Sequence, residues 1–207
     1  MSTTAFDRRP SSKRFSSRFA AGPVLLLLAT AQLGCGRPFN VKTQPYLPPT
    51  SYAAKAVVDS IAVEAQAITD EDLLYDTFDA NLISAGVLPV RVRMTNSGGE
   101  AVDLKSARLE LETKAGRFKA VDARKAFKRL ISYYGISVYS KSGYSESLEA
   151  FVAFALDVAT PLGGGQSRQG LVFFLAPSEA TRQTGLTMTI SKLNPRQSAG
   201  AGSLKLN

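Results

Sequence analysis

The side chains of this chain that could do covalent chemistry reduce to one thiol and a set of carboxylates. Cys35 is the single cysteine among 207 residues, and histidine and tryptophan are absent. Without histidine there is no base for Ser-His-Asp or Cys-His nucleophilic catalysis and no usual nitrogen ligand for zinc. No lysine has a serine three residues before it, so Lys141-Ser142-Gly143 reads as part of a loop rather than a Ser-Lys site. Gly163-Gly164-Gly165 is followed by Gln166-Ser167-Arg168 and lacks the Lys-Ser/Thr of a phosphate loop. The carboxylates Asp70, Glu71, Asp72, Asp76 and Asp79 are clustered, and on a helix Asp72, Asp76 and Asp79 share a face. Such oxygens suit calcium or magnesium, but the glycine of a calcium-binding loop is missing. Acids in a first helical turn also complement the helix dipole, which needs no ligand. No metal or cofactor is therefore expected. Paired carboxylates could still hydrolyse a glycoside, although no tryptophan platform for a sugar exists. An exported carboxylate-dependent hydrolase is kept as the alternative to a non-enzymatic protein.

The surroundings of Cys35 say more than its reactivity. Arg8, Arg9, Lys13, Arg14 and Arg18 precede an apolar run from about Phe19 to Ala31, and Leu33 and the small Gly34 lead into Cys35. A charged leader, a short apolar stretch and small residues at the cut form a secretory signal. The run is shorter than the roughly 20 residues a spanning helix needs. A lone thiol has little structural use where disulfides form in pairs. Its thiolate form is the strongest side-chain nucleophile.

Ala31-Gln32-Leu33-Gly34-Cys35 resembles the lipobox of bacterial lipoproteins, with leucine one place later than usual. The resemblance implies acylation of Cys35, with fatty chains such as palmitate, and removal of residues 1–34 as a signal peptide. It also implies a membrane anchor. Gly36, rather than an aspartate, follows the cysteine, which on the same resemblance favours the outer membrane facing the periplasm. A plain secretory signal or an uncleaved signal anchor are the competing readings.

The formal net charge of +8 overstates the remainder of the chain. Residues 1–34 hold five of the 25 basic residues and one of the 17 acids, leaving 20 against 16, a net of +4. A basic isoelectric point would ordinarily suggest nucleic acid; export and this modest charge argue for no nucleic-acid partner. Hydrophobic content of 44% is enough for a globular core.

Composition divides the chain further. Residues 35–55 contain Pro38, Pro45, Pro48 and Pro49 among polar residues and read as the lipidated cysteine and an extended tether. Residues 194–207 are rich in Gly, Ser and Ala and read as a flexible tail. Between them, Ser60–Ile68 alternates as a strand, and Thr69 opens a helix carrying Leu74, Phe78 and Leu82 that ends at Ala85-Gly86. Val87–Thr95 is the clearest strand: Leu88, Val90, Val92 and Met94 face one way, Arg91, Arg93 and Thr95 the other. Val102 and Leu104 continue as strand, then Leu109 and Leu111 alternate with charges, and a turn at 114–117 leads to Phe118–Val121. Asp122 caps a helix with the stripe Ala123, Phe127, Leu130, Ile131 and Tyr134, ended by Gly135. A second helix runs from about Ser147 to Asp157. Strands return at Gly170–Leu175 and Leu186–Ile190.

Short strands with glycine-rich turns predict a mainly β sandwich. Leu88-Pro-Val-Arg-Val-Arg-Met-Thr-Asn96, Leu109-Glu-Leu with Gly116, and Gly170-Leu-Val-Phe-Phe-Leu-Ala-Pro177 resemble an immunoglobulin-like, telokin-like antiparallel β-sandwich of exported bacterial proteins. The resemblance covers about residues 56–193, with the helical pair at about 122–157 as an insertion. It implies a binding or supporting role in the envelope and no common active site.

The best candidate contact surface lies in that insertion. Arg124, Lys125, Lys128 and Arg129 form a basic face opposite the apolar stripe, and Tyr133, Tyr134, Tyr139 and Tyr144 flank it. Tyrosine is enriched at interfaces. The expected partners are the membrane, through the N-terminal lipid, and an envelope protein or an anionic lipid surface. The plain alternative is a solvated face on a core-packed helix.

Overall fold

Alternation of apolar and polar residues builds the sheet, and a change to helical period interrupts it. The computed structural model describes residues 36–42, 52–182, 184–193 and 200–206. The chain divides between Gly34 and Cys35 into two units, and every described residue belongs to the second. Its elements are β1 (Ala54–Val58), β2 (Ile61–Ala67), α1 (Glu71–Phe78), β3 (Val87–Asn96), β4 (Arg108–Thr113), β5 (Gly116–Val121), α2 (Ala123–Tyr133), α3 (Lys141–Val152), β6 (Ser167–Leu175), α4 (Ser178–Thr181), β7 (Thr187–Ser191) and β8 (Ala201–Lys205). The fold is mainly β and antiparallel, with the helical pair α2–α3 inserted between β5 and β6, as the sequence predicts. Among the described residues the strands form one sheet in the order β1-β2-β3-β6-β5-β4-β7-β8.

β3 is the centre of one half. Leu88, Val90, Val92 and Met94 are fully buried, while Arg91, Arg93 and Thr95 are half-buried on the other face. Its neighbours are set in register, with Val63 and Ala65 of β2 opposite Met94 and Val92, and Phe174 and Val172 of β6 opposite Leu88 and Val90. β5 joins the two halves. Gly116–Lys119 pair with β4, whereas Ala120 and Val121 pair with Phe174 and Phe173 of β6. One strand thus passes from the β4-β7-β8 half to the β1-β2-β3-β6 half. The far edges also approach: a Cβ on Gly202 of β8 would overlap the Val58 side chain of β1. The absence of a side chain there lets the sheet curl around a shared core.

Asn96 ends β3 as a fully buried polar side chain. Its Nδ2 donates to the carbonyls of Glu100 (2.7 Å) and Leu162 (3.0 Å), and its Oδ1 accepts from the Gly98 N–H (2.9 Å). A buried amide of this kind stands in for backbone partners that two loops cannot supply to each other.

Several expected boundaries move. α1 stops at Phe78 because Asp79 adopts the left-handed conformation (φ 55°) and donates its N–H to the Tyr75 carbonyl; Leu82 is buried all the same. Val102 forms only a bridge to Leu162, and Leu104–Ser106 turn tightly instead of extending. α3 starts at Lys141, capped by the Ser140 hydroxyl, which accepts from the Gly143 N–H at 2.9 Å, and ends at Val152.

Both chain ends differ from the expected tether and tail. Residues 36–42 pack on the helices, with Phe39 and Val41 buried, and Tyr52 and Ala54 are buried at the start of β1. The expected flexible tail contains β8, whose Gly202 and Leu204, followed by Leu206, turn inward beside β7. In both segments alternating apolar residues meet a ready-made surface, which outweighs the proline and glycine around them. Cys35 and the predicted signal peptide lie outside the described residues.

Candidate functional site

The inserted helices owe their position to a continuous stack of rings. Phe173 of β6 stacks on Phe151 of α3 (centroids 4.9 Å), and Phe151 meets Phe127 of α2 (5.5 Å). From Phe127 the contacts branch outward. Tyr144 stands edge-on at 5.6 Å and stacks on Tyr139 at 5.2 Å. Phe39 stands edge-on to Phe127 at 5.8 Å and to Tyr134 at 5.7 Å, and Tyr134 meets Tyr133 at 5.1 Å. Edge-to-face pairs of this geometry add to simple burial. The four predicted tyrosines are thus gathered around one aromatic core, in two pairs: Tyr133 with Tyr134, and Tyr139 with Tyr144.

Tyr134 is also fixed by its hydroxyl, which accepts the Asn81 N–H at 2.8 Å. Burial pushes its phenol above the ordinary range, and Tyr133, Tyr75 and Asp79 nearby push the same way. Tyr75, Tyr133, Tyr134, Tyr139 and Val138 remain exposed, Val138 to 71%. Of these, Tyr133, Tyr134, Val138 and Tyr139 belong to the pair and its connection, and Tyr75 to α1.

The basic residues divide. Asp122 caps α2 by accepting from the Arg124 N–H at 2.7 Å, which sets the helix phase. Arg124, Lys125 and Lys128 then fall on its exposed side, while Ala123, Ala126, Phe127 and Leu130 are buried. Arg129 is held differently, because its Nε donates to the Ala85 carbonyl at 2.8 Å. All four predicted cations are thus exposed along one helix, and Arg129 also clamps the α1–β3 connection.

The sequence assigns segment 36–42 to the tether, whereas the structure makes it part of this surface. It crosses the pair as a strap. The Gly36 carbonyl accepts from the Ser140 N–H (3.3 Å), and Arg37 pairs with Glu146 (2.6 Å). The Phe39 carbonyl accepts from the buried Ser147 hydroxyl (2.6 Å). The Asn40 N–H donates to Asp79 Oδ2 (3.0 Å), and the Lys42 N–H to the Thr77 carbonyl (2.9 Å). Gly143 makes room: a Cβ there would lie 2.9 Å from the Gly36 carbonyl oxygen and 3.1 Å from the Arg37 Cα. The alternation of Phe39 and Val41 with exposed Asn40 and Lys42 was the available signal.

Three of the five clustered acids serve the structure. Asp70 caps α1, accepting from Leu73 at 3.0 Å. Glu71 accepts from the Asn81 amide and pairs with Arg182 at 2.7 Å, and these partners hold its carboxyl below the ordinary range. Asp79 binds the strap. Elsewhere, Lys55 and Arg93 hold Glu64 low, and the Thr160 hydroxyl and neighbouring N–H groups do the same for Asp157. No group of three or more acids that could hold a metal ion stands together among the described residues.

A cleft of about 570 Å³ opens where β5 leaves β6, lined by Leu109, Val121, Leu156 and Leu171, with Arg108 and Lys119 beside them. The short β5–β6 pairing creates it, a feature that no local sequence pattern encodes. Among the described residues no helix is long and apolar enough to cross a membrane.

No protein-family model and no curated protein matches the chain. Three solved structures share a similarity of shape. A functionally unknown protein of Listeria monocytogenes has 9% identity and a TM-score of 0.42, over 81% of this chain and 87% of that one. A candidate lipoprotein of Bacillus subtilis, YcdA, has 12% identity and a TM-score of 0.36, over 75% of this chain and 39% of that one. A β-sandwich protein of Clostridium difficile has 9% identity and a TM-score of 0.34, over 72% and 93%. At these identities and scores the similarity assigns this chain to no family and no activity.

Proposed function

We propose that this chain is a lipid-anchored, non-enzymatic envelope protein, held at the membrane through Cys35, probing partners with its inserted helical pair. The reading places it in the periplasm, at the outer membrane. The signal layout before Cys35 supports the anchor. The observation that carries the binding role is the surface of the pair: Tyr133, Tyr139 and Val138 are exposed, and α2 carries the exposed cations Arg124, Lys125 and Lys128. Aromatic side chains flanked by cations suit an anionic lipid surface or an acidic protein partner.

The hydrolase alternative needs a carboxyl acid raised toward neutral pH beside a second carboxylate. Glu64, Glu71 and Asp157 are instead all held low by donors or cations. That direction favours structural carboxylates over a general acid.

Fractionation of cells making the intact chain tests the proposal. Photocrosslinkers placed at Lys125 and Tyr133 are expected to capture an envelope component, while one at Lys114 in the β4–β5 turn captures none. Equal capture at all three positions, or recovery of the chain in the cytoplasm, would count against an envelope binder.

A further inference from the structure

We infer that the docked strap fixes the attitude of the domain, so that residues 136–140 of the α2–α3 connection lie against an anionic bilayer. This rests on the anchor reading above and adds to it the face that meets the lipid. A tether of the expected kind, some 19 residues in extended form, would reach about 60 Å and leave orientation free. The structure removes that freedom. Gly36 is held to Ser140, Phe39 is buried between Phe127 and Tyr134, and Ser147 closes on the Phe39 carbonyl. One peptide unit spans about 3.8 Å, so an acylated Cys35 sits one such step from a residue bonded to the start of α3.

The surface at that point matches a lipid headgroup layer. Val138 is 71% exposed, and Tyr139, also exposed, is backed by its stack on Tyr144. Lys141 follows in the first turn of α3, and Arg37 stands in the strap with its side chain half exposed. An exposed apolar tip and a tyrosine followed closely by a lysine are what the interface of an anionic membrane attracts. Gly143 is the structural requirement, since any side chain there meets the Gly36 carbonyl and the Arg37 backbone.

The test uses the full chain, processed in cells and reconstituted into phosphatidylglycerol–phosphatidylethanolamine vesicles carrying a lipid-borne quencher. Val138→Cys and Lys114→Cys are each labelled with a polarity-sensitive fluorophore, and the unsubstituted chain is treated in parallel. Several-fold stronger quenching at position 138 than at 114 is expected, with no label on the unsubstituted chain because the Cys35 sulfur is acylated. Inserting about twenty Gly/Ser residues between Cys35 and Gly36 leaves the domain intact and should abolish the contrast; Gly143→Leu should weaken it by displacing the strap. Equal quenching at both positions in a chain whose Cys35 takes no label overturns the orientation alone. Labelling of Cys35 in the unsubstituted chain, with loss of vesicle binding, overturns the anchor and the orientation together. Protection of position 138 by a bound protein, without quenching by lipid, overturns the bilayer as its occupant.

Discussion

The Ser147 hydroxyl donates to the Phe39 carbonyl at 2.6 Å, a buried bond between residues 108 positions apart. It ties the first described segment of the domain to the second inserted helix. If that tie holds the strap, Ser147→Ala leaves a buried carbonyl unsatisfied and should cost about 1–3 kcal/mol. Phe39→Ala should cost about 3–5 kcal/mol by emptying a site between two rings. Urea unfolding of a soluble form starting at Gly36 measures both. Losses within about 0.5 kcal/mol, the range of ordinary surface changes, would return the segment to a passive tether.

Asn96 offers a second test of how the loops are held. Asn96→Ala strips partners from the Glu100 and Leu162 carbonyls and from the Gly98 N–H. The expected cost is about 2–4 kcal/mol, seen as a lower denaturation midpoint. Asn96→Asp should be worse at neutral pH, since a carboxylate would face two carbonyl oxygens, and should recover partly on acidification. A pH-independent effect of the aspartate would show that water enters the site.

Glu64 should give the domain a measurable acid sensitivity. Its carboxyl accepts from Lys55 at 2.9 Å and from Arg93, and both hold it below the ordinary glutamate range. The unfolded chain then binds the proton more readily than the folded one. The contribution is therefore present above the unfolded value of about 4.3 and is lost as pH falls through the lower folded value. Thermal melts from about pH 6 downward should fall more steeply for the parent than for Glu64→Gln. Parallel curves would remove Glu64 from the acid response.

The exposed cations of α2 can be tested apart from the anchor. Each is worth about 1 kcal/mol at most near an anionic surface, and salt screens it. A soluble form carrying Glu at positions 124, 125 and 128 should lose binding to anionic vesicles at low salt, while the parent binds and releases as salt rises. Equal, salt-independent binding by both would leave α2 with an ordinary solvated face.

Local pattern made much of this fold legible. The alternation of Leu88, Val90, Val92 and Met94 marked β3, and Asp122 with Phe127 and Leu130 marked α2. The errors arose where tertiary contact overrode composition. Gly143 argued against helix by propensity, yet it lies in the first turn of α3, where its missing side chain admits the strap. Prolines around Phe39 suggested a free tether, and glycines around Leu204 a free tail, but both alternations find a surface to cover. Asp79, and not Gly86, ends α1, because aspartate tolerates the left-handed conformation. The tyrosine cluster could be named from sequence, whereas its pairing, and the clamp from Arg129 to Ala85, depended on how two helices pack.

Mass analysis of the chain extracted from membranes tests the lipid anchor most directly. The mature protein is predicted to begin at Cys35, to lack residues 1–34 and to carry acyl groups on that residue. Cys35→Ser should pass to the soluble fraction after alkaline washing. A chain beginning elsewhere with an unmodified Cys35 thiol, or a serine variant that stays with the membrane, would contradict it.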